Sequence, residues 1–238
     1  AANPTVLEIL FTAPEDHRTV TPAGERLLAA RDSFVTLRVA DTFGGYAMGQ
    51  LKRIRTHRRW LLEPPKAEPK RADFGLPERT LVPKDQLGAA DALQREGRSL
   101  DLSPNFLEVL DREKRYETAR KRWQQFLQWK KHRNPKRSAL EAKFGYDTKH
   151  AMHLVRLQRM ALEILRTTEV RVRRDDREEL LAIRDGAWSY DELVERAEAN
   201  AEAIRAARKT SPLPAEPNEE EANALCVLII QQVLGETE

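Results

Sequence analysis

Gly145-Tyr-Asp-Thr-Lys-His-Ala-Met-His-Leu-Val-Arg-Leu-Gln-Arg-Met160, continued without a break to Thr167, is the stretch whose reading decides the fold. From Asp147 to Thr167 the apolar residues recur at helical spacing. Ala151, Leu154, Leu157, Ala161 and Leu165 fall on one face, and Lys149, His153, Arg156 and Met160 on the opposite one. The spacing predicts a long, well-anchored helix with a basic stripe. Gly145 just before it suits the end of a preceding helix, Arg137–Phe144.

The same pattern extends outward. The 238 residues are 40% hydrophobic and 33% charged, with only 10 glycines. Ala, Leu, Glu and Arg lose little side-chain freedom in a helix, so the expected class is mainly α. Helices are predicted over Asn3–Phe11, from Thr21 (N-cap, with Pro22 at the first position) to Arg31, and over Ser33–Leu61, loosened at Gly44-Gly45. Further helices are expected over Pro83–Glu96, Leu102–Asp111, Asp111–Arg133, Ser189–Lys209 and Asn218–Leu234. Glu169–Arg173 reads as a short β-like run, and Arg177–Ile183 as a turn or short helix. Two proline-rich stretches, Leu62–Pro83 and Ser211–Pro217, cannot be regular helix, because proline lacks the donor and clashes with the preceding turn. The expectation is a multi-helix bundle with two connecting straps. It divides into 1–61, a strap over 62–83, and a helical domain over 84–238.

Several function classes are excluded or weakened. A single cysteine, Cys226, rules out an internal disulfide framework and a cysteine-built zinc site. Lying in the apolar run Ala224–Ile230, it reads as a buried, inert thiol. No stretch approaches the ~20 apolar residues of a membrane span, and the first residues are neither a signal nor a transit peptide, so the expected location is the cytoplasm. The net charge of +3 is mild, but Arg and Lys concentrate around 52–71, 112–137 and 166–177. Local basic surface attracts phosphate without a large net charge.

Candidate phosphate- or RNA-binding residues are Lys149, His153 and Arg156 on the central helix. Lys52, Arg55 and Arg59, on one side of the glycine-containing helix Phe43–Leu61, join them. The glycines there suit close approach by a helix or a ligand. Each group has an ordinary alternative: a solvated basic face, or a glycine-assisted helix crossing. The basic, aromatic-bearing helix Arg112–Arg133 suits stacking on single-stranded RNA, or simply a helix C-terminus whose dipole favours cations. His150 and His153 lack the acidic or cysteine partner that a metal site needs. Asp73-Phe-Gly75 is a chance match to a kinase motif, since no glycine-rich loop precedes it.

Six ordered strings span nearly the whole chain and together resemble one family. They are Asn3–Phe11, Thr42-Phe-Gly-Gly-Tyr-Ala-Met-Gly-Gln-Leu-Lys-Arg53, His57-Arg-Arg-Trp-Leu61, Arg71-Ala-Asp-Phe-Gly-Leu-Pro77, Gly145–Leu157 and Arg184-Asp-Gly-Ala-Trp-Ser189. The chain resembles the helical carboxy-terminal part of predicted nucleotidyltransferases of the DNA polymerase beta superfamily, described as RNA-ligase-associated polymerases. The resemblance implies an amino-terminal α/β domain with Gly-Ser, Asp-x-Asp and a further carboxylate. There two Mg2+ ions activate a hydroxyl and stabilise the leaving pyrophosphate. It also implies nucleoside triphosphate, and RNA, as partners of the helical part.

This sequence has no Gly-Ser before an Asp-x-Asp, so no residue is assigned as catalytic or as a metal ligand. The expected arrangements are a piece of a longer protein, a split enzyme whose separate chain supplies the acids, or a homologue without activity. The alternative is a non-catalytic helical module that binds RNA or a protein partner. Replacing Lys149 and Arg156 together by alanine is expected to weaken triphosphate or RNA binding with the fold intact. An unchanged dissociation constant would remove the functional reading of that helix face.

Overall fold

The computed structural model describes residues 4–80 and 104–235. The predicted helix Pro83–Glu96 lies outside the described residues. The described residues form α1 (Pro4–Ile9), α2 (Pro22–Ala29), α3 (Gly45–Leu62), α4 (Pro104–Lys131), α5 (Pro135–Phe144), α6 (Thr148–Thr167), α7 (Arg177–Arg184), α8 (Tyr190–Thr210) and α9 (Glu219–Gly235). Among them no strand is present, so the mainly α expectation holds. No helix among them is long and apolar enough to cross a membrane.

The chain forms two compact units. One unit joins Ala1–Arg58 to Lys136–Glu238, and the other is Arg59–Pro135.

In the first unit the core is built around α6, which packs against α7, α8 and a π-helical turn at Ala40–Gly44. The predicted apolar stripe is buried throughout: Ala151, Leu154, Leu157, Ala161 and Leu165. Met160, expected on the polar face, is buried too, as are Val155 and Ile164. Burial thus covers more of the helix than one stripe. Gln158 is enclosed as well, and is satisfied there. Its Nε2 donates to the Ala197 carbonyl of α8 at 2.8 Å, and Asn200 Nδ2 donates to its Oε1 at 3.4 Å. Tyr146 donates its hydroxyl to the Trp188 carbonyl at 2.7 Å, and burial pushes its pKa up to about 12. A buried hydroxyl is retained only with such a partner.

Local signals set the helix ends. Thr21, Asp147 and Ser189 each accept a backbone N–H of the first turn. Asn218 Oδ1 does the same for Glu220 and Glu221. The expected continuous helix Ser33–Leu61 is broken up. A 3-10 turn at Arg31–Phe34 and the π turn precede α3. Of the glycines there, Gly44 faces Ile204 of α8, where a Cβ would sit 3.4 Å from its Cγ2. Gly45 and Gly49 face open space, so close approach explains only the first. Among the described residues Glu169–Arg173 has no strand partner, and Arg171 instead pairs with Glu163 and Glu169. The second strap is tied down where Leu37 N–H donates to the Pro214 carbonyl at 2.9 Å.

Cys226 was expected to be buried and is exposed. Helix α9 touches α2 and leaves Val227, Leu228, Ile230, Val233 and Leu234 at least half exposed.

In the second unit, α4 runs unbroken where two helices meeting at Asp111 were expected. Arg71 of the first strap makes a bidentate pair with Glu113 of α4, a carboxylate almost fully enclosed; its Nη1–Oε2 distance is 3.0 Å. Asp73 Oδ2 accepts the Lys70 N–H at 2.8 Å, and Phe74 packs edge-on to Tyr116. The Asp-Phe-Gly string therefore shapes a turn. Trp60, Phe126 and Trp129 form an aromatic cluster in the same unit.

Two backbone positions with positive φ give predictions of opposite sign. Gly186 has φ +90, and a Cβ there would lie 2.1 Å from Phe144 Cε1, so Gly186→Ala is expected to destabilise by roughly 2–4 kcal/mol. Thr168 ends α6 at φ 65, which a β-branched residue rarely adopts, so Thr168→Gly is expected to stabilise by roughly 1 kcal/mol. Urea midpoints of the two variants check both signs.

Candidate phosphate-binding cavity

Three helices of the first unit bring cations to one place. A cavity of about 410 Å³ is lined by Tyr46, Gln50 and Arg53 of α3, Arg137 of α5, and Lys149, His150, Met152 and His153 of α6. Its size falls within the range of small-molecule sites. The α3 residues are four and three apart, so one helix face supplies them. No carboxylate is among these lining residues, and among the described residues neither Arg53 nor Lys149 forms an ion pair.

One carboxylate works on the lining from behind. Asp147 Oδ1 caps α6 by accepting the His150 N–H at 3.0 Å, and its Oδ2 lies 2.6 Å from His150 Nδ1. Burial works to raise the Asp147 pKa. The hydrogen bonds from His150 and the charges of His150 and Arg137 outweigh that and hold it below the usual value. With Nδ1–H committed to Asp147, His150 turns Nε2 toward Arg137, whose Nη1 is 3.4 Å away. In that tautomer Nε2 is an acceptor, so of the two it is the guanidinium that offers hydrogen-bond donors to an anionic group.

His153 stands next to it, edge-on to Tyr46 with ring centroids 6.1 Å apart. Burial, then the neighbouring Arg156 charge, push its pKa below the ordinary 6.5, against the opposing pull of Glu8. Gln50 is only 5% exposed, and its Oε1 has no hydrogen-bond partner. An orphaned buried acceptor costs about 1–3 kcal/mol, and native folds keep few of them.

The six residues singled out from the sequence have different fates. Lys149 and His153 line the cavity. Arg156 lies behind it, pairing bidentately with Glu8 of α1 at 2.6 and 3.1 Å. Glu8 is 7% exposed. Arg156 is thus spent on holding α1, and alanine there would strand a buried carboxylate. The fold-neutral double replacement of Lys149 and Arg156 is therefore not available. Arg55 hydrogen-bonds Glu198 of α8 at 2.5 Å, which raises its pKa. Lys52 and Arg59 are exposed, and Arg59 belongs to the other unit. The structure brings in Tyr46, Gln50, Arg53, Arg137 and His150 instead. The spacing of Tyr46, Gln50 and Arg53 was available as a signal, one helix face away from Lys52 and Arg55.

The arginines at 171, 173 and 174 are neutralised. Arg171, Arg173 and Arg174 pair with Glu163, Glu169, Glu15, Asp16 and Asp176. Arg159 holds Asp176 and Glu179 at 2.8 Å. Among the described residues no group of three or more His, Cys, Asp or Glu is placed to hold a metal ion, so the Mg2+ pair implied by the resemblance does not fit these residues. Compared with known protein families, curated proteins and solved structures, the chain matches none.

Two measurements test this geometry. Removing Arg156 alone (Arg156→Ala) is expected to destabilise by about 3–5 kcal/mol, the range for leaving one member of a buried pair uncompensated. Truncating Glu8 as well should recover part of that loss in a double-mutant cycle by urea denaturation. His153 gives a pH signature. Its folded pKa is depressed, so the unfolded chain binds the proton first as pH falls below 6.5, and stability declines there. That slope should disappear in His153→Gln, measured as urea midpoints between roughly pH 5 and 7.

Proposed function

We propose that this chain is the helical, substrate-side part of a nucleotidyltransferase, and that the cavity between α3, α5 and α6 holds phosphate of a nucleotide or an RNA end. The observation that carries the reading is Arg53, Arg137 and Lys149 converging from three helices on a cavity without a lining carboxylate. Arginine and lysine suit phosphate oxygens, and partial enclosure strengthens their field relative to open water. The chain's own contribution is binding and orientation. The transfer of a nucleotide from a triphosphate to an RNA end or another hydroxyl belongs, in this reading, to carboxylates from outside the residues described. No step is derived through Mg2+. A cytoplasmic location accords with this role.

A second reading is favoured by one observation of its own. Helix α9 is apolar, and most of its side chains are exposed. A helix apolar on most sides is normally covered, which suits a module that binds a protein partner.

Titration with a nucleoside triphosphate and with single-stranded RNA at two salt concentrations separates the readings. Arg53→Ala and Lys149→Ala are each expected to weaken binding by about tenfold and to lower the RNA salt slope by about one. Dissociation constants that ignore both replacements would defeat the phosphate reading. A salt-insensitive complex with a protein, lost when Leu228 and Val233 are made polar, would favour the second.

A further inference from the structure

Gln50 is out of place for a site that binds phosphate alone. Its helix neighbours Ala47, Leu51 and Ile54 are buried apolar residues, and Gln50 is nearly as enclosed as they are. A leucine would fit the helix and leave nothing unsatisfied. Instead a primary amide lines the cavity, with its Oε1 lacking a donor. The surrounding nitrogen groups do not supply one: among the described residues no hydrogen bond from Arg53, Arg137, Lys149, His150 or His153 reaches it.

A phosphate cannot supply one either, because at neutral pH its oxygens are chiefly acceptors. An N–H or O–H on a part of the ligand that is not phosphate can supply one. One helical turn before Gln50, on the same wall, Tyr46 is 38% exposed. It is held edge-on by His153, so an aromatic surface borders the cavity beside the amide.

We propose that Gln50 is the specificity-determining residue of this cavity. It selects a ligand that joins phosphate to a hydrogen-bonding ring or sugar, a nucleotide, over a bare polyphosphate. Its amide pairs with an N–H of the base or a hydroxyl of the sugar, while Tyr46 offers its face to the base. Base–aromatic stacking tolerates any base, so the hydrogen bond carries the discrimination. This rests on the phosphate reading of the same cavity and adds what that reading leaves open: recognition of the part that carries no charge.

The test uses the full chain at fixed ionic strength and compares inorganic tripolyphosphate with the four ribonucleoside triphosphates by calorimetric titration. At least one nucleotide is expected to bind about tenfold or more tighter than tripolyphosphate. Gln50→Leu should collapse that ratio to near one through loss of nucleotide affinity. Its melting temperature should be equal or higher, because the orphaned acceptor is gone. Tyr46→Phe should keep the ratio, and Tyr46→Ala should reduce it. If tripolyphosphate binds the natural chain as tightly as every nucleotide, the role of Gln50 is overturned and the phosphate reading stands. The same holds if Gln50→Leu keeps the full preference. Should neither probe bind, the phosphate reading falls and takes this proposal with it. A Gln50→Leu protein that does not fold is replaced by Gln50→Met, read for the same ratio.

Discussion

Enclosure of α6 is the constraint on which the first unit depends. A 20-residue helix packed against α7, α8 and the π turn has little surface left to water. What it buries must be apolar or fully bonded, which accounts for Leu154, Leu157 and Ile164 beside a Gln158 tied to α8. Its amino-terminal turn escapes this enclosure on one side. Lys149, His150 and His153 sit there, and that is where α3 and α5 add Arg53 and Arg137. The cavity is thus a product of where core packing stops.

Charge follows a second rule. The chain carries 41 Lys and Arg against 38 Asp and Glu, so most cations can find an acid. Arg159, Arg171, Arg173 and Arg174 are paired, several of them twice. A basic segment in sequence is therefore a poor guide to basic surface in the fold. What matters is the local ratio after pairing, and among the described residues Arg53 and Lys149 of the cavity lining form no ion pair. A carboxylate beside the lining, Asp147, is itself engaged with His150.

Much of the architecture was legible in the residues. Thr21, Ser189 and Asn218 announce helix starts because a short polar side chain can satisfy backbone donors only at such ends. The central stripe of α6 follows from a period of 3.6. Properties that depend on a partner elsewhere were not legible. Arg156 looks like a surface cation until Glu8, 148 positions away, is placed against it. The extended run at 169–173 has strand-like residues, but no neighbouring chain to pair with. Cys226 and its apolar neighbours were expected inside because burial favours such residues, yet hydrophobicity does not guarantee cover. Within the cavity, Lys149 and His153 were found from the pattern of one helix. Gln50 was not, because a lone glutamine carries no signal until its acceptor is seen to be unmet.

The π turn at Ala40–Gly44 has a further consequence, one of angular phase. Val39, Phe43, Ala47 and Leu51 are all buried and recur every four residues. In a regular α-helix each residue advances about 100°, so steps of four drift by about 40° each and would carry the stripe off the core. A wider turn takes up one extra residue and resets the phase. The faces one residue apart are then fixed: Ala47, Leu51 and Ile54 point into the core, and Tyr46, Gln50 and Arg53 point into the cavity. A single-residue change in the length of that turn would rotate the whole of α3 by about 100° and exchange the identity of its faces. The chemistry of the cavity wall is in this sense set by a count of residues upstream of it, before any side chain is chosen.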